Sequence, residues 1–385
     1  MDFDLTAEQQ LIQDSARRMV GQHIQPVLDS HDPDTPLPKD AMRKVLQACS
    51  EIGMLGGRVP TAMGGTELSM VDLGLMYEQL PANVFFGVLS QEVTAARISS
   101  DCTDAQRDGV LADILASRKL ACTATTEPGA GSDPRGVETR VTQDGDDFRI
   151  TGRKMWISNI SIADVVNVTG AMGKDEQGLA HMVRLLVDQE QSPFEAREIP
   201  TLGLRQGHLG EAVFDNTWVP AANKLGQAGD AARSLTLTWM GNRPFIGLCA
   251  ANMAQQALDK AIEYAKERRQ FGKAIAGHQL IQEQIADIAA AVTTSRLICY
   301  YALSRIDAGE RANQITAMAK RQSLAACEQA ISAAMHIHGA MGISRELGLE
   351  QMYRDVRMMP IPDGTNQILT LIEGRELTGI PAYRG

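Results

Sequence analysis

At 385 residues the chain exceeds what one hydrophobic core usually holds, since cores stop growing near ~250–300 residues, so two or three domains are expected. Hydrophobic residues make up 44% and charged residues 22%, an ordinary globular balance that excludes disorder and collagen-like repetition. A net charge of -10 argues against a generic nucleic-acid binder, which spreads Lys and Arg over a phosphate-facing surface.

The opening residues lead directly into a period-3.6 pattern, with Thr6 as predicted N-cap and Leu11, Ile12, Ala16 and Met19 on one face. Neither a charged-then-apolar leader nor an Arg-rich transit pattern is read there. No run of about 18 uninterrupted apolar residues occurs, so no membrane span is predicted and a cytoplasmic location is expected. Residues 1–118 read as a helical domain. From 119 to 225 the character changes: Phe148-Arg-Ile-Thr, Ala163-Asp-Val-Val-Asn-Val, His181-Met-Val-Arg-Leu-Leu-Val and Glu211-Ala-Val-Phe read as short strands between turn residues, a small β domain. Over 226–385 the helical period returns, in runs at 244–269, 279–307 and 312–337 that suit an antiparallel bundle. The predicted fold class is therefore α+β and multidomain, in the order α, β, α. No repeat or low-complexity linker separates the parts, which predicts extensive shared interfaces. The six cysteines (Cys49, Cys102, Cys122, Cys249, Cys299, Cys327) have no close pairs, so they are expected as reduced thiols and no metal site is predicted.

The segment Cys122-Thr-Ala-Thr-Thr-Glu-Pro-Gly-Ala-Gly-Ser-Asp133 interleaves glycines with the hydroxyls of Thr125, Thr126 and Ser132. A lone Gly-rich loop is equally a tight turn, but hydroxyls and exposed backbone N–H groups together offer donors to a polar ring or a phosphate. Further on, Gly152-Arg-Lys-Met-Trp-Ile-Ser-Asn159 places Trp156 and Ser158 on a β edge, where an indole beside a hydroxyl can flank a flat cofactor.

These two segments resemble the T-E-P-G-x-G-S-D loop and K-x-W-I-[ST]-N strand of acyl-CoA dehydrogenases. The resemblance extends over nearly the whole chain: Arg268-Arg-Gln-Phe-Gly-Lys-Ala-Ile-Ala-Gly-His-Gln279 is similar to R-x-x-F-G-K-x-I-x-x-x-Q, Met352-Tyr-Arg-Asp-Val-Arg357 to Y-R-D-x-R, and Asp363-Gly-Thr-Asn-Gln367 to E-G-T-x-[EQ]. The resemblance implies an N-terminal α-helical domain, a central β-barrel-like domain and a C-terminal four-helix bundle. It implies FAD as cofactor, with Thr126 and Ser158 at the flavin ring, Trp156 beside it, and Ser132 near both cofactor and substrate. Arg268, Phe271 and Gln279 would reach the flavin of a neighbouring subunit, and Thr365 and Gln367 would bind FAD from the C-terminal domain. A homotetramer built as a dimer of dimers, an acyl-CoA substrate and an electron-transferring flavoprotein as acceptor are implied in the same way.

The sequence departs from the family in places. The family's base is commonly glutamate in Y-E-G-T, and here the tetrapeptide is Pro362-Asp-Gly-Thr365, a carboxylate one methylene shorter. Asp before Gly364 is also an ordinary turn residue. Some members carry the base one residue ahead of an arginine that is here Arg243; that position is Asn242, so Asp363 is the only acid at either place. In Met335-His-Ile-His-Gly-Ala-Met-Gly342, His336 replaces a glutamine and Ala340 a glycine of a Q-I-x-G-G contact to the adenosine half of FAD. Gly207 in Leu202-Gly-Leu-Arg-Gln-Gly207 replaces a serine or threonine, leaving backbone to meet CoA. Ser90, Gln91 and Glu92 fall where the acyl pocket is expected, and an inward Gln91 would disfavour a long linear alkyl chain.

The implied reaction is α,β-dehydrogenation of an acyl-CoA: Asp363 takes an α-proton while hydride leaves Cβ for flavin N5, with Gln91, Ser132, Asn242, Arg243 and Gly364 on the substrate side. A shortened base points to a cyclic or branched acyl group. The alternatives are enoyl-CoA reduction or elimination on the same fold, or a non-catalytic flavin- and CoA-binding subunit.

Overall fold

The structure, a computed structural model, describes residues 4–174, 180–227 and 231–382, so Met1 to Phe3 lie outside the described residues. The N-terminal part contains α1 (Ala7–Met19), α2 (Gln25–Asp29), α3 (Lys39–Glu51), α4 (Met70–Tyr77), α5 (Ala82–Ser99) and the single turns α6 (Asp104–Gln106) and α7 (Ala112–Leu115). Thr6 caps α1 as its sequence predicts: its hydroxyl accepts from the Gln9 N–H at 3.2 Å and the Gln9 side chain accepts from the Thr6 N–H at 3.2 Å. Ala16 and Met19 are buried against the rest of the fold, but Leu11 is 66% exposed. The stripe that docks on α4 is narrower than the sequence pattern implied.

The middle part is one sheet. Its strands are β1 (Ala121–Ala124), β2 (Arg140–Asp144), β3 (Asp147–Ser158), β4 (Val165–Lys174), β5 (Ala180–Asp188), β6 (Glu195–Glu198), β7 (Leu209–Val219) and β8 (Lys224–Leu225). The order is β6-β7-β3-β2-β4-β5-β8, with β1 pairing parallel to β4. The four sequence-predicted strands correspond to β3, β4, β5 and β7. The shorter β1, β2 and β6 escaped because they lack an alternating signal: in β2 only Val141 is buried. The strand interiors bury Ile150, Val168, Leu185 and Phe214 in a core of their own.

The C-terminal part packs α8 (Ala231–Glu267), α9 (Gln279–Asp307) and α10 (Asn313–His338) together, with the hairpin β9 (Arg269–Gln270) and β10 (Lys273–Ala274) between the first two. Then follow α11 (Leu349–Met358) and α12 (Asn366–Thr378), the latter against α10. Sequence reading started the first of these helices at Pro244, where a proline suits a helix start. The helix instead begins at Ala231 and carries Pro244 in its interior, at the loss of one backbone hydrogen bond.

The terminal helical parts share one core. Tyr77 on α4 stacks on Phe245 of α8 with ring centroids 4.5 Å apart, and meets Phe85 of α5 edge-on at 5.5 Å. Buried Leu248, Leu303 and Ile331 continue the same cluster. This continuity is the shared interface expected from a chain without linkers, and it brings α4, α5, α8 and the loop before α12 to one junction. All six cysteines are free, and no helix among the described residues is long and apolar enough to cross a membrane.

Candidate active site

Asp363 stands in the turn between α11 and α12. Its φ of 54° and the 99° of Gly364 are both left-handed, a conformation that Asp tolerates better than most residues and Gly freely. Thr365 then caps α12, accepting from the Ile368 N–H at 3.4 Å. The turn's carbonyls point at buried cations. Arg243 Nε donates to the Asp363 carbonyl at 3.1 Å, and Lys320 Nζ donates to the carbonyls of Pro362 and, at 2.7 Å, Gly364. Lys320 is fully buried on α10. Among the described residues no carboxylate lies within ion-pair distance of it. Burial pulls its ammonium down to about 7, with Asp363 opposing the fall and Arg243 adding to it.

The Asp363 side chain is fixed separately: Asn242 Nδ2 donates to Asp363 Oδ2 at 2.9 Å. The two places where the sequence allowed a base are thus adjacent in space, one carrying the acid and the other the amide that aims it. Asn242 is buried, and its Oδ1 has no partner. Arg243 also donates to Asn313 Oδ1 at 3.0 Å, which anchors it to α10. Replacing Lys320 by Met should release the turn while filling the same space. Flavin reduction by a saturating ester is expected to slow by about 10²-fold, the effect of ångström-scale misplacement of a base, with the thermal midpoint nearly unchanged in a melting curve.

The two glycine-hydroxyl motifs meet in the sheet. Met155 N–H donates to the Thr126 carbonyl at 3.0 Å, and Lys154 Nζ to the Thr125 carbonyl at 3.0 Å. The lock is a buried ion pair, Lys154 Nζ to Glu127 Oε1 at 2.7 Å, whose carboxylate also accepts from the N–H groups of Glu138 at 2.7 Å and Thr139 at 3.0 Å. Burial draws the Lys154 ammonium down to about 8, with Glu127 opposing. Two residues on, the β3–β7 register slips between Met155 and Ile157, and Trp156 takes a φ of 64°. Such a φ is rare for a bulky residue, and the bulge leaves Trp156 51% exposed, one residue on from the Met155 N–H that binds the Thr126 carbonyl. Ser158 lies at the strand end, its carbonyl accepting from Ser90 on α5 at 3.3 Å, and Ser132 is exposed.

Some sequence-predicted residues do other work. Thr125 is buried with its hydroxyl 3.4 Å from that of Thr169, a contact that braces the loop. Gln91 is fully buried and all of its amide is occupied: Nε2 donates to the carbonyls of Ile114 and Lys119, both at 2.9 Å, and Oε1 accepts from the Ala121 N–H at 2.7 Å. It ties α5 to the start of β1. The expected acyl-pocket role is corrected on that ground. Gln91 and Glu92 are buried while Ser90 is partly exposed, and Glu92 is consumed by Arg58, whose Nε lies 2.9 Å from Oε1. Gly207 is small because α5 begins there: a Cβ would stand 2.6 Å from the Asn83 carbonyl oxygen.

Other predicted residues stand apart from Asp363. Arg268 follows the end of α8, 26 residues from Asn242, which at 1.5 Å per residue is ~39 Å along the helix. It is exposed and makes no ion pair among the described residues. Phe271 and Gly272, with φ of 51° and 79°, form the two-residue turn of the β9–β10 hairpin, and Phe271 is 94% exposed. Gln279 begins α9, exposed, and exposed His336 and Ala340 flank the end of α10, where Gly342 leaves no room for a Cβ beside Met335. Gln367, on the first turn of α12, is exposed. Lys320, Arg58 and Arg97 were missed by sequence. Each is a cation at an apolar helix or turn position, and the signal for Lys320 was its place among Ala317, Ala319 and Leu324, all buried.

The protruding indole of Trp156 and the exposed hydroxyl of Ser132 suit a flat polar cofactor, and the carboxylate clamped at the helical junction suits proton transfer, the pairing found in flavoprotein oxidoreductases. Three consecutive family models match the chain: the acyl-CoA dehydrogenase N-terminal domain over residues 6–118, the middle domain over 122–217 and the C-terminal domain over 233–378. The chain belongs to the acyl-CoA dehydrogenase family, and its cofactor is FAD. It is 32% identical to a cyclohex-1-ene-1-carbonyl-CoA dehydrogenase of Geobacter metallireducens, covering 97% of this chain and 98% of that one. It is 29% identical to an acryloyl-CoA reductase (NADH) of Anaerotignum propionicum, covering 98% and 96%. The solved FAD complex of PigA superimposes with a TM-score of 0.91 at 25% identity, covering 98% and 99%.

Proposed function

We propose that the chain oxidises the Cα–Cβ bond of an acyl-CoA thioester, with Asp363 as the base that removes the α-proton. The observation that carries this is the double clamp on the Asp363 turn: Arg243 holds the Asp363 carbonyl, Lys320 the carbonyls of Pro362 and Gly364 on either side, and Asn242 the carboxylate, which fixes the acid in one position. Bound FAD would supply the acceptor for the hydride leaving Cβ. Thr126, Trp156 and Ser158 would hold its ring, Thr365 and Gln367 would contact it from α12, and Arg268, Phe271 and Gln279 would reach a neighbour's copy. The Asp363 N–H would polarise the thioester carbonyl, an electrostatic contribution of several kcal/mol in comparable oxyanion sites. Asn242 would keep the carboxylate directed at the α-carbon. Electrons would pass on to an electron-transferring flavoprotein, the acceptor that the family implies.

A cyclic or branched acyl group is favoured. The base is one methylene short, and the relative from Geobacter metallireducens is named for a ring substrate. Reduction of an enoyl-CoA is the second reading, favoured by the name of the Anaerotignum propionicum relative. Anaerobic titration of the purified protein with a CoA-ester panel separates them. Bleaching of the flavin by a saturated ester, greatest with cyclohexanecarboxyl-CoA, is the expected result, and reoxidation of reduced flavin by enoyl esters without any bleaching would reverse the assignment.

The exposed Phe271 and unpaired Arg268 lead to a further expectation. The protein should be yellow, carry about one FAD per chain and sediment as a tetramer or at least a dimer. Replacing Arg268 by Ala should weaken FAD retention through the loss of charge-assisted hydrogen bonds. An FAD-saturated monomer by light scattering would contradict it.

A further inference from the structure

The guanidiniums of Arg58 and Arg184 and the ammonium of Lys154 are each paired inside the fold, with Glu92, Asp101 and Glu127. Arg97 and Lys320, both buried, differ: among the described residues no carboxylate lies within 4.0 Å of either, the limit for an ion pair. Arg97 on α5 donates from Nε and Nη2 to Thr238 Oγ1 at 2.9 and 2.7 Å, and a guanidinium keeps its proton. An amine can give its proton up. Lys320 stands within α10 with no exposure at all. An ammonium has three N–H donors, and the described residues around Nζ offer two acceptors, the carbonyls of Pro362 and Gly364. A neutral amine has two N–H donors, which these two carbonyls satisfy. The site therefore accommodates the amine as well as the ammonium, and nearby negative charge decides between them.

The two carbonyls lie on either side of Asp363, so one turn holds both the amine and the base. Of the charged groups on the elements packed against α10, Asp363 and, from α8, Arg243 act on Lys320, the first favouring its proton and the second opposing it. The others are engaged. On α12, Glu373 is held by Arg321 and Glu376 by Arg311 and Arg375; Arg357 on α11 faces Glu328, and Arg296 on α9 pairs with Glu78. Among the described residues Asp363 is thus the anion whose charge keeps the proton on Lys320. In the reaction proposed above Asp363 loses that charge. Once it has accepted the α-proton, the buried ammonium faces Arg243 without a compensating anion.

We propose that Lys320 is the proton-linked partner of the base, an ammonium while Asp363 is a carboxylate and an amine once Asp363 holds the α-proton, so that substrate oxidation releases the Lys320 proton to solvent. The α-proton moves to the Asp363 carboxylate, hydride moves from Cβ to the flavin, and a second proton leaves Lys320 Nζ, where the N–H electron pair remains as a lone pair. When Asp363 later gives up its proton, Lys320 regains one. This rests on the acyl-CoA dehydrogenase reading of Asp363 and adds a proton that the reading alone does not count. The same charges set the pH window. With Asp363 ionised, Lys320 titrates at about 7, and with Asp363 neutral it titrates lower. Release is therefore largest just below neutral pH and fades ~2 units higher, where the amine is already neutral before substrate reacts.

The test mixes the holoenzyme in a single turnover with an ester that bleaches its flavin, in weakly buffered solution with a pH-indicator dye, and measures protons released per flavin reduced. At about pH 6.5 wild type should release more than Lys320→Met by a large fraction of one proton, and the difference should vanish by about pH 9. Equal release by the two proteins at both pH values overturns the proposal. Should Lys320→Met fail to fold, wild type decides alone, because release that does not fall between the two pH values overturns it as well. A second arm needs no turnover. Lys320 is less basic in the folded protein than in the unfolded chain, where a lysine titrates near ~10.4, so above its folded value the unfolded chain holds the extra proton and stability rises with pH. The denaturant midpoint of wild type relative to Lys320→Met should begin to rise near neutral pH, and in an Asp363→Asn background the rise should begin at lower pH. If no ester bleaches the flavin, the dehydrogenase reading falls, and this second arm still judges the coupling: the same onset with and without Asp363→Asn shows that Lys320 does not follow the charge of Asp363.

Discussion

Asp363→Asn should abolish most flavin reduction while leaving the protein folded and yellow. The turn needs a residue that accepts a φ of 54°, and Asn shares that tolerance with Asp. The amide oxygen can still accept from Asn242 Nδ2, so the donor now at 2.9 Å from Asp363 Oδ2 keeps a partner. What disappears is the proton acceptor. General-base catalysis typically contributes ~10²–10⁴-fold, so the rate of flavin bleaching by a saturating ester should fall by that factor, with the ester's spectral binding constant nearly unchanged. Asp363→Glu separates position from basicity. The longer side chain keeps a carboxylate but displaces it against Asn242, and misplacement on that scale costs ~10²-fold. Wild-type bleaching by Asp363→Asn would mean that the α-proton base lies elsewhere.

Lys154→Met should be the most destabilising single change that touches no substrate. It removes the partner of Glu127 in a site where the lysine is fully buried and the glutamate 5% exposed. Breaking one side of a buried ion pair costs about 3–5 kcal/mol, because a charge is left without compensation. The denaturant midpoint should fall accordingly and FAD should be released early, since the pair joins the Thr125–Thr126 loop to the strand that carries Trp156. The pH dependence has a definite sign. In wild type, burial alone would raise the Glu127 pKa, but the Lys154 charge and hydrogen bond, with the Thr139 and Glu138 donors, hold it below the ordinary carboxylate range. A lowered folded-state pKa gives stability that is present above ~pH 4.3 and lost as pH falls through the folded value. In Lys154→Met burial dominates, the carboxyl binds its proton more tightly in the folded state, and acidification should stabilise the variant. The stability gap should therefore be widest near neutral pH and narrow on acidification. A gap that does not change between pH 7 and 5 would show that Glu127 stays ionised without its lysine.

Much of this was legible in the chain. The capping box at Thr6, the long helical runs of α9 and α10 and the four stronger strands follow from local periodicity, which is set by neighbours three, four or two residues away. So do the motif loops, because turns that demand Gly, Asp or hydroxyl residues leave that demand in the sequence.

Other features depend on distant pairings that no local pattern encodes. Gln91 was a candidate pocket residue because its helix falls where the resemblance places the acyl pocket, yet its amide is consumed by Ile114, Lys119 and Ala121, the last 30 residues away. Leu11 looked like core and is open to solvent, since only packing decides how wide a helix stripe is covered. The sequence by itself determined the α, β, α order and left Asp363 as the acid at the two places where the family carries its base. Tertiary structure alone decided that Asn242 aims that acid across 121 residues, that Lys320 and Arg243 fasten its turn, and that Arg97 is left buried without a carboxylate. The physical reason is that a hydrogen bond or a counter-charge acts over a few ångströms of space, whereas the sequence reports distance only along the chain.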